Sequence, residues 1–194
     1  MDESLPLATI HEAILDFARN RDDVVVFGAH AVNAYVDEPR MTQDVDILTR
    51  DAARVAEELR THLANQFNAA IRTRELSPGE AYLVYQVRKP RNRHLADVRG
   101  VLALPPSNRI DGVLVPIPSE LIAQKVISMV ARQGQPKAGS DWRDIATLFL
   151  LYPPLKTLNG EVLNRLEANT ASHSAMEEWR TIVDKEIVPD NEEY

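Results

Sequence analysis

A short β-branched run, Val24-Val-Val-Phe27, stops at Gly28 and passes directly into a helical segment, 29–36. Four apolar residues closed by a Gly read as a buried strand. A chain with this run must therefore build a sheet, with a strand-to-helix turn at its end. Gly at such a turn lets a ligand approach the backbone closely. The free N–H groups of the following helix are suited to phosphate oxygens.

The next strand, 44–49, carries Asp44 and Asp46. Residues two apart on a strand point to one face, so these carboxylates project side by side. Val45 and Ile47 then fit the opposite face, against a helix. At roughly 5 Å and an effective dielectric near 20, two such charges repel by about 3 kcal/mol. A hard divalent ion removes that repulsion, and oxygen-only ligands favour magnesium or manganese over zinc. The chain has 14 Asp in 194 residues, which predicts about one Asp-x-Asp by chance, so the pair takes its weight from the Gly turn upstream.

The apolar content of 44% supports a core, and no stretch approaches the length of a membrane span. The N-terminal sequence Met-Asp-Glu-Ser-Leu-Pro lacks the organisation of a signal peptide. Cys is absent, which excludes disulfides, thiolate metal sites and thiol nucleophiles. Cytoplasmic residence without membrane association is the expectation. A net charge of −7 argues against binding nucleic acid with the whole surface. A local basic window exists, however. Arg88, Lys89, Arg91, Arg93 and Arg99 lie close together with Asp97 the only acid among them. It suits a phosphate backbone, a triphosphate or a solvated hairpin tip equally well.

Helical spacing of Leu7, Ile10, Ile14 and Leu15 predicts a first amphipathic helix over 6–20, and Val55, Leu59 and Leu63 a second over 52–67. Strands follow over 70–74, 82–88 and 95–102, with turns at Ser77-Pro-Gly79 and Pro90-Arg-Asn92. The polar run from Pro105 to Gly112 reads as a loop before a strand at 113–117. Ser119 is a candidate N-cap for a helix through Arg132. Residues 133–140 read as a loop, and helices follow over 141–151, 159–169 and 173–185. The expected fold class is α/β (α+β): a mixed β-sheet core flanked by helices over 1–117, with a helical C-terminal region over 118–194 packed on it.

With these residues placed, the stretch Phe27-Gly-Ala-His-Ala-Val-Asn33, then Pro39-Arg-Met-Thr-Gln-Asp-Val-Asp-Ile-Leu48, resembles the core signature of the nucleotidyltransferase superfamily, whose fold is that of DNA polymerase β. Leu121-Ile-Ala-Gln-Lys125, Ala131-Arg132 and Asp141-Trp-Arg-Asp144-Ile145 are similar to the helical motif of bacterial AbiEii-type toxins. The resemblance implies a magnesium-dependent enzyme. It would move a nucleoside monophosphate from a nucleoside triphosphate (NTP) to a hydroxyl of an RNA or protein, as a toxin with a cognate antitoxin. It implies that Gly28, Ala29 and His30 line the triphosphate pocket, and that Asp44, Asp46 and Asp97 hold one or two Mg2+ ions. Asp97 would also help deprotonate the acceptor hydroxyl. Lys125 would stand near the developing negative charge, and Asp141 would be a site residue or a helix N-cap. Arg40 and Thr42, in the loop entering the carboxylate strand, either contact phosphate or brace the loop. One departure stands out: the superfamily has Gly-Gly or Gly-Ser at this turn, and this chain has Gly28-Ala29-His30. A catalytically inactive binding or regulatory module on the same fold is therefore the competing expectation. An antibiotic-type small-molecule transferase is a third. No His-x-x-x-His spacing points to zinc, and His11, His62 and His173 fall within helices without a catalytic assignment.

Overall fold

Hydrophobic spacing places most elements where a single amphipathic or buried face would put them. The computed structural model describes residues 6–189, so the Met1–Leu5 stretch, part of the segment read above as lacking a signal peptide, lies outside it. The chain divides into two compact units, one ending at Pro116 and the other beginning at Ile117. In the first, helix α1 (Leu7–Ala18) buries Ile10, Ala13, Ile14 and Ala18. Strand β1 (Val24–Phe27) runs straight into a short helix, α2 (Gly28–Asn33). After β2 (Val45–Thr49) comes α3 (Ala52–Phe67), capped by the Asp51 carboxylate, which accepts from the Arg54 N–H at 3.1 Å. It ends at Asn68, whose φ of 46° lies in the left-handed region that stops helices. Five further strands follow: β3 (Ile71–Ser77), β4 (Ala81–Gln86), β5 (Arg93–Gly100), β6 (Ser107–Ile110) and β7 (Val113–Pro116).

Together they form one mixed seven-stranded sheet in the order β3-β4-β5-β2-β1-β7-β6. The β2–β5 and β1–β7 pairs are parallel and the rest antiparallel. Residues opposite one another in register share a face, which sorts the side chains. Val45, Ile47, Val84, Ala96 and Val98 point one way and are fully buried, on the face that α3 covers, as their alternation predicts. The other face carries Phe27, Asp46, Asp97, Leu83 and Arg74 in one continuous row across β1, β2, β5, β4 and β3.

Strand β6 contradicts the loop expected before Gly112. Its side chains are polar because it is an edge strand, so it shows no hydrophobic alternation. The readable signal was the turn: Asp111 and Gly112 both adopt positive φ (48° and 83°), the two-residue hairpin geometry that an Asp-Gly pair favours.

The second unit is helical: α4 (Pro118–Ala131), α5 (Pro136–Leu151), α6 (Glu161–Ala168) and α7 (His173–Asp184). Two expectations are corrected here. Helix α5 starts at Pro136, a residue preorganised for the first helical position, so Asp141 lies inside the helix and is no N-cap. Helix α4 starts at Pro118, so Ser119 is its second residue and Ile117 takes the cap position. Within this unit the Lys125 ammonium contacts Asp144 at 2.6 Å and Asp141 at 3.1 Å, and Arg132 reaches Asp141 at 2.9 Å. Both carboxylates are almost wholly buried, so contact with these cations offsets a desolvation cost that would otherwise stand. Lys125→Met should therefore destabilise this unit by about 3 kcal/mol. Trp142 and Trp179 are the only tryptophans and both belong to it, so urea unfolding followed by tryptophan fluorescence reads the loss directly. A loss below about 1 kcal/mol, the scale of an exposed pair, would contradict the buried-pair reading.

Candidate metal centre

Asp46 stands opposite Asp97 in the parallel pairing of β2 with β5. Asp44, two residues earlier and just before β2, continues the Asp46 side of the chain. Strand alternation alone would put His94, three residues before Asp97, on the covered face. A β-bulge reverses this. Ala96 pairs with Val84 and His94 with Tyr85, which leaves Leu95 as the extra residue between them. Leu95 and Ala96 both bury, and His94 turns to the Asp97 side.

His94 consequently sits between two carboxylates. Its Nδ1 lies 3.3 Å from Asp44 Oδ2 and its Nε2 lies 3.3 Å from Asp97 Oδ1. The Asp97 carboxylate, and more weakly Asp44, raise the imidazole pKa above its ordinary value of 6.5, against the opposing effect of burial. Asp44, His94 and Asp97 each offer a ligand atom, and these atoms lie within 4.8 Å of one another. Ligands of one divalent ion at about 2.1 Å from the metal are at most about 4.2 Å apart, so small side-chain movements would gather these atoms around one ion. Two carboxylates and one imidazole suit magnesium less than an all-oxygen set and admit manganese and its heavier neighbours.

Gly28 has a φ of 69°, the left-handed region, and a Cβ built there would run into Asp46 Oδ2. The glycine is thus required twice, for its backbone conformation and for the carboxylate lodged against it. Ala29 points into the core. His30 turns to His11, the two rings meeting edge to face at 4.7 Å. Burial, with the neighbouring His11 adding to it, lowers the His30 pKa to about 4. His30 is therefore neutral near pH 7. Its Nε2 is buried without a hydrogen-bond partner. His11 is likewise shifted down, chiefly by burial, and its Nε2 lies 3.3 Å from the Gln43 carbonyl.

The Arg40 backbone is clamped by Asn33, whose amide accepts from the Arg40 N–H at 3.1 Å and donates to its carbonyl at 2.8 Å. The Thr42 hydroxyl donates to the Asp44 carbonyl at 3.3 Å. Both contacts brace the entry to the carboxylate strand. Lys125 and Asp141 meet each other in the helical unit, as described above. Among the sequence candidates, then, the sheet brings together Asp44 and Asp97, with Asp46 beside Asp97 and against Gly28. His94 escaped sequence reading because a one-residue bulge changes its face.

No family model matches the sequence, and no curated protein does. Likeness appears at the level of structure. JHP933 from Helicobacter pylori superposes with a TM-score of 0.62 at 14% identity, over 94% of this chain and 81% of that one. The Megavirus polyadenylate synthase gives 0.61 at 16% identity over 76% of this chain, which spans only 32% of the synthase. The antibiotic-resistance factor ANT(2'')-Ia gives 0.52 at 15% identity, over 89% and 96% of the two chains. The chain has the nucleotidyltransferase-like fold, as seen in the polymerase β group.

The His30 geometry carries a pH dependence with a definite sign. The folded value, about 4, lies below the ordinary 6.5, so the unfolded chain takes up its proton first as pH falls. Stability is fully present above about pH 6.5 and falls towards pH 4, by about 3 kcal/mol for this group. Urea unfolding followed by circular dichroism at pH 4.5 and 7.5 should show the drop, and His30→Gln should flatten it. An unchanged slope in the variant would contradict the assignment.

Proposed function

We propose that the protein is a divalent-metal-dependent nucleotidyltransferase. The observation that carries this reading is the gathering of Asp44, His94 and Asp97 on the sheet face where Asp46 meets Gly28. In the proposed reaction an acceptor hydroxyl oxygen bonds to the α-phosphorus of a nucleoside triphosphate. The bond from that phosphorus to the bridging oxygen breaks, and pyrophosphate leaves with the electron pair. Asp44, Asp97 and His94 would hold a divalent ion, with Asp46 able to complete its surroundings. A bound ion would supply charge neutralisation and polarise the α-phosphate.

The chain's own groups have separate tasks. Asp97, exposed enough to meet an acceptor, takes the hydroxyl proton. Gly28 leaves the backbone open where any larger residue would displace Asp46. His30, neutral at physiological pH, offers at most one ring N–H to phosphate and no positive charge. Triphosphate affinity on this reading depends more on metal than on the Gly-Ala-His turn. The resemblance to AbiEii-type toxins extends the proposal to a toxin restrained by an antitoxin. Growth arrest on expression, relieved by Asp44→Asn, would support that role.

Incubation with α-labelled nucleoside triphosphates, Mg2+ or Mn2+, and an acceptor pool of RNA and protein should transfer label. The same reaction with γ-labelled triphosphate should not, because that label leaves in pyrophosphate. Asp44→Asn and Asp97→Asn should each lower the rate on the order of 10²–10³, the usual cost of removing one electrostatic stabiliser. Failure of the wild-type protein to bind any metal–triphosphate at millimolar concentration would defeat the reading and leave the inactive-module alternative.

A further inference from the structure

The sheet face that carries the carboxylates does not end with them. Following the row outward from Asp97, the next positions are Leu83 on β4 and Arg74 on β3. The parallel row from His94 passes through Tyr85 to Arg72. Strands lie about 4.8 Å apart, so the arginines stand roughly 10 Å from the His94–Asp97 strand. Arg74, Leu83, Tyr85, Asn92 and His94 line a cleft of about 200 Å³ on this face. His94 belongs both to the cleft and to the carboxylate cluster, so the two adjoin at that side chain.

The charge pattern along this strip is ordered. Its inner end is acidic, its middle is apolar and aromatic, and its outer edge is basic. Arg72 and Arg74 are exposed and make no ion pair among the described residues. Four other arginines of the same unit are paired: Arg21 and Arg54 share Asp23 and Glu58, Arg60 takes Glu57, and Arg109 takes Asp22. Glu75, the one acid on β3, projects to the opposite face and is held by the Gly79 N–H and the Tyr82 hydroxyl. On a chain of net charge −7, an unneutralised arginine pair beside an aromatic ring is a local feature with its own partner chemistry.

We propose that this strip binds the acceptor, and that the acceptor is single-stranded nucleic acid with its terminal hydroxyl directed to Asp97. Base stacking on Tyr85 and backbone phosphates on Arg72 and Arg74 satisfy the two kinds of surface that such a strand presents. A peptide hydroxyl acceptor would leave both guanidinium groups without a fixed anion. The role as acceptor rests on the nucleotidyl-transfer reading; the binding itself does not, and is measured without metal or triphosphate.

The test is fluorescence anisotropy of a labelled twelve-nucleotide single-stranded RNA against the full chain at several salt concentrations. Wild-type protein should bind, with affinity falling steeply as salt rises. Arg72→Ala/Arg74→Ala should weaken binding at least tenfold and flatten the log–log salt slope by about 1.4, two phosphates at about 0.7 each. Tyr85→Ala should cost about tenfold, while Tyr85→Phe, which keeps the stacking face, should restore binding. Circular dichroism melts of each variant verify folding, and Tyr85→Phe keeps the test decisive if Tyr85→Ala is unstable. The inference is overturned if the RNA fails to bind at about 100 µM, or binds wild type and variants equally. It is also overturned if the variants lose affinity for free metal–triphosphate alone. Label transfer to a protein with no RNA binding would overturn it while leaving nucleotidyl transfer intact.

Discussion

Three carboxylates on one face of a sheet are the constraint around which the first unit is built. Asp46 and Asp97 are directly opposed on neighbouring strands, and Asp44 adds a third charge at the strand entrance. At about 5 Å each such pair costs roughly 3 kcal/mol unless positive charge intervenes. The fold answers with an imidazole. The bulge at Leu95 brings His94 to the charged face, where its two ring nitrogens each meet a carboxylate. Gly28 answers sterically, by leaving the volume that Asp46 occupies. On the opposite face α3 covers the apolar residues Val45, Ile47, Val84, Ala96 and Val98, and the charged cluster adds no polar group to that packing.

Much of this was readable from residue order. Valine-rich β1, the Gly28 turn and the alternation Asp44-Val-Asp-Ile47 placed two strands, a turn and a carboxylate face, because each depends on local periodicity. The second amphipathic helix followed from Val55, Leu59 and Leu63 for the same reason. What escaped depended on pairing between distant strands. His94 changes face through a bulge that exists only where β5 meets β4, and no period in the β5 sequence announces it. Strand β6 escaped because an edge strand needs no apolar side chains, although Asp111-Gly112 signalled the hairpin. The partnership of Tyr85 with Arg72 and Arg74 was equally invisible, since it appears only when β3, β4 and β5 are set in register.

The electrostatics of the two units follow different rules. In the helical unit, Lys125 and Arg132 neutralise buried Asp141 and Asp144 by direct contact, a closed arrangement in which every charge has a protein partner. On the sheet face the acids gather round His94 at one end of the strip, and Arg72 and Arg74 stand at the other. Closed clusters stabilise a fold, whereas segregated charge creates a field that a ligand of complementary pattern completes. The likeness in architecture to a viral polyadenylate synthase and to an antibiotic-resistance factor fixes the fold and leaves substrate choice to such surface details.

The central claim is that the Asp44–His94–Asp97 cluster is a metal centre. The most direct measurement is anomalous diffraction from crystals soaked in about 10 mM Mn2+. One strong anomalous peak is expected within about 2.2 Å of carboxylate oxygens from Asp44 and Asp97, with a ring nitrogen of His94 turned towards it. An absent peak, with the imidazole still bridging the two carboxylates, would contradict the account, as would a peak lying elsewhere on the molecule.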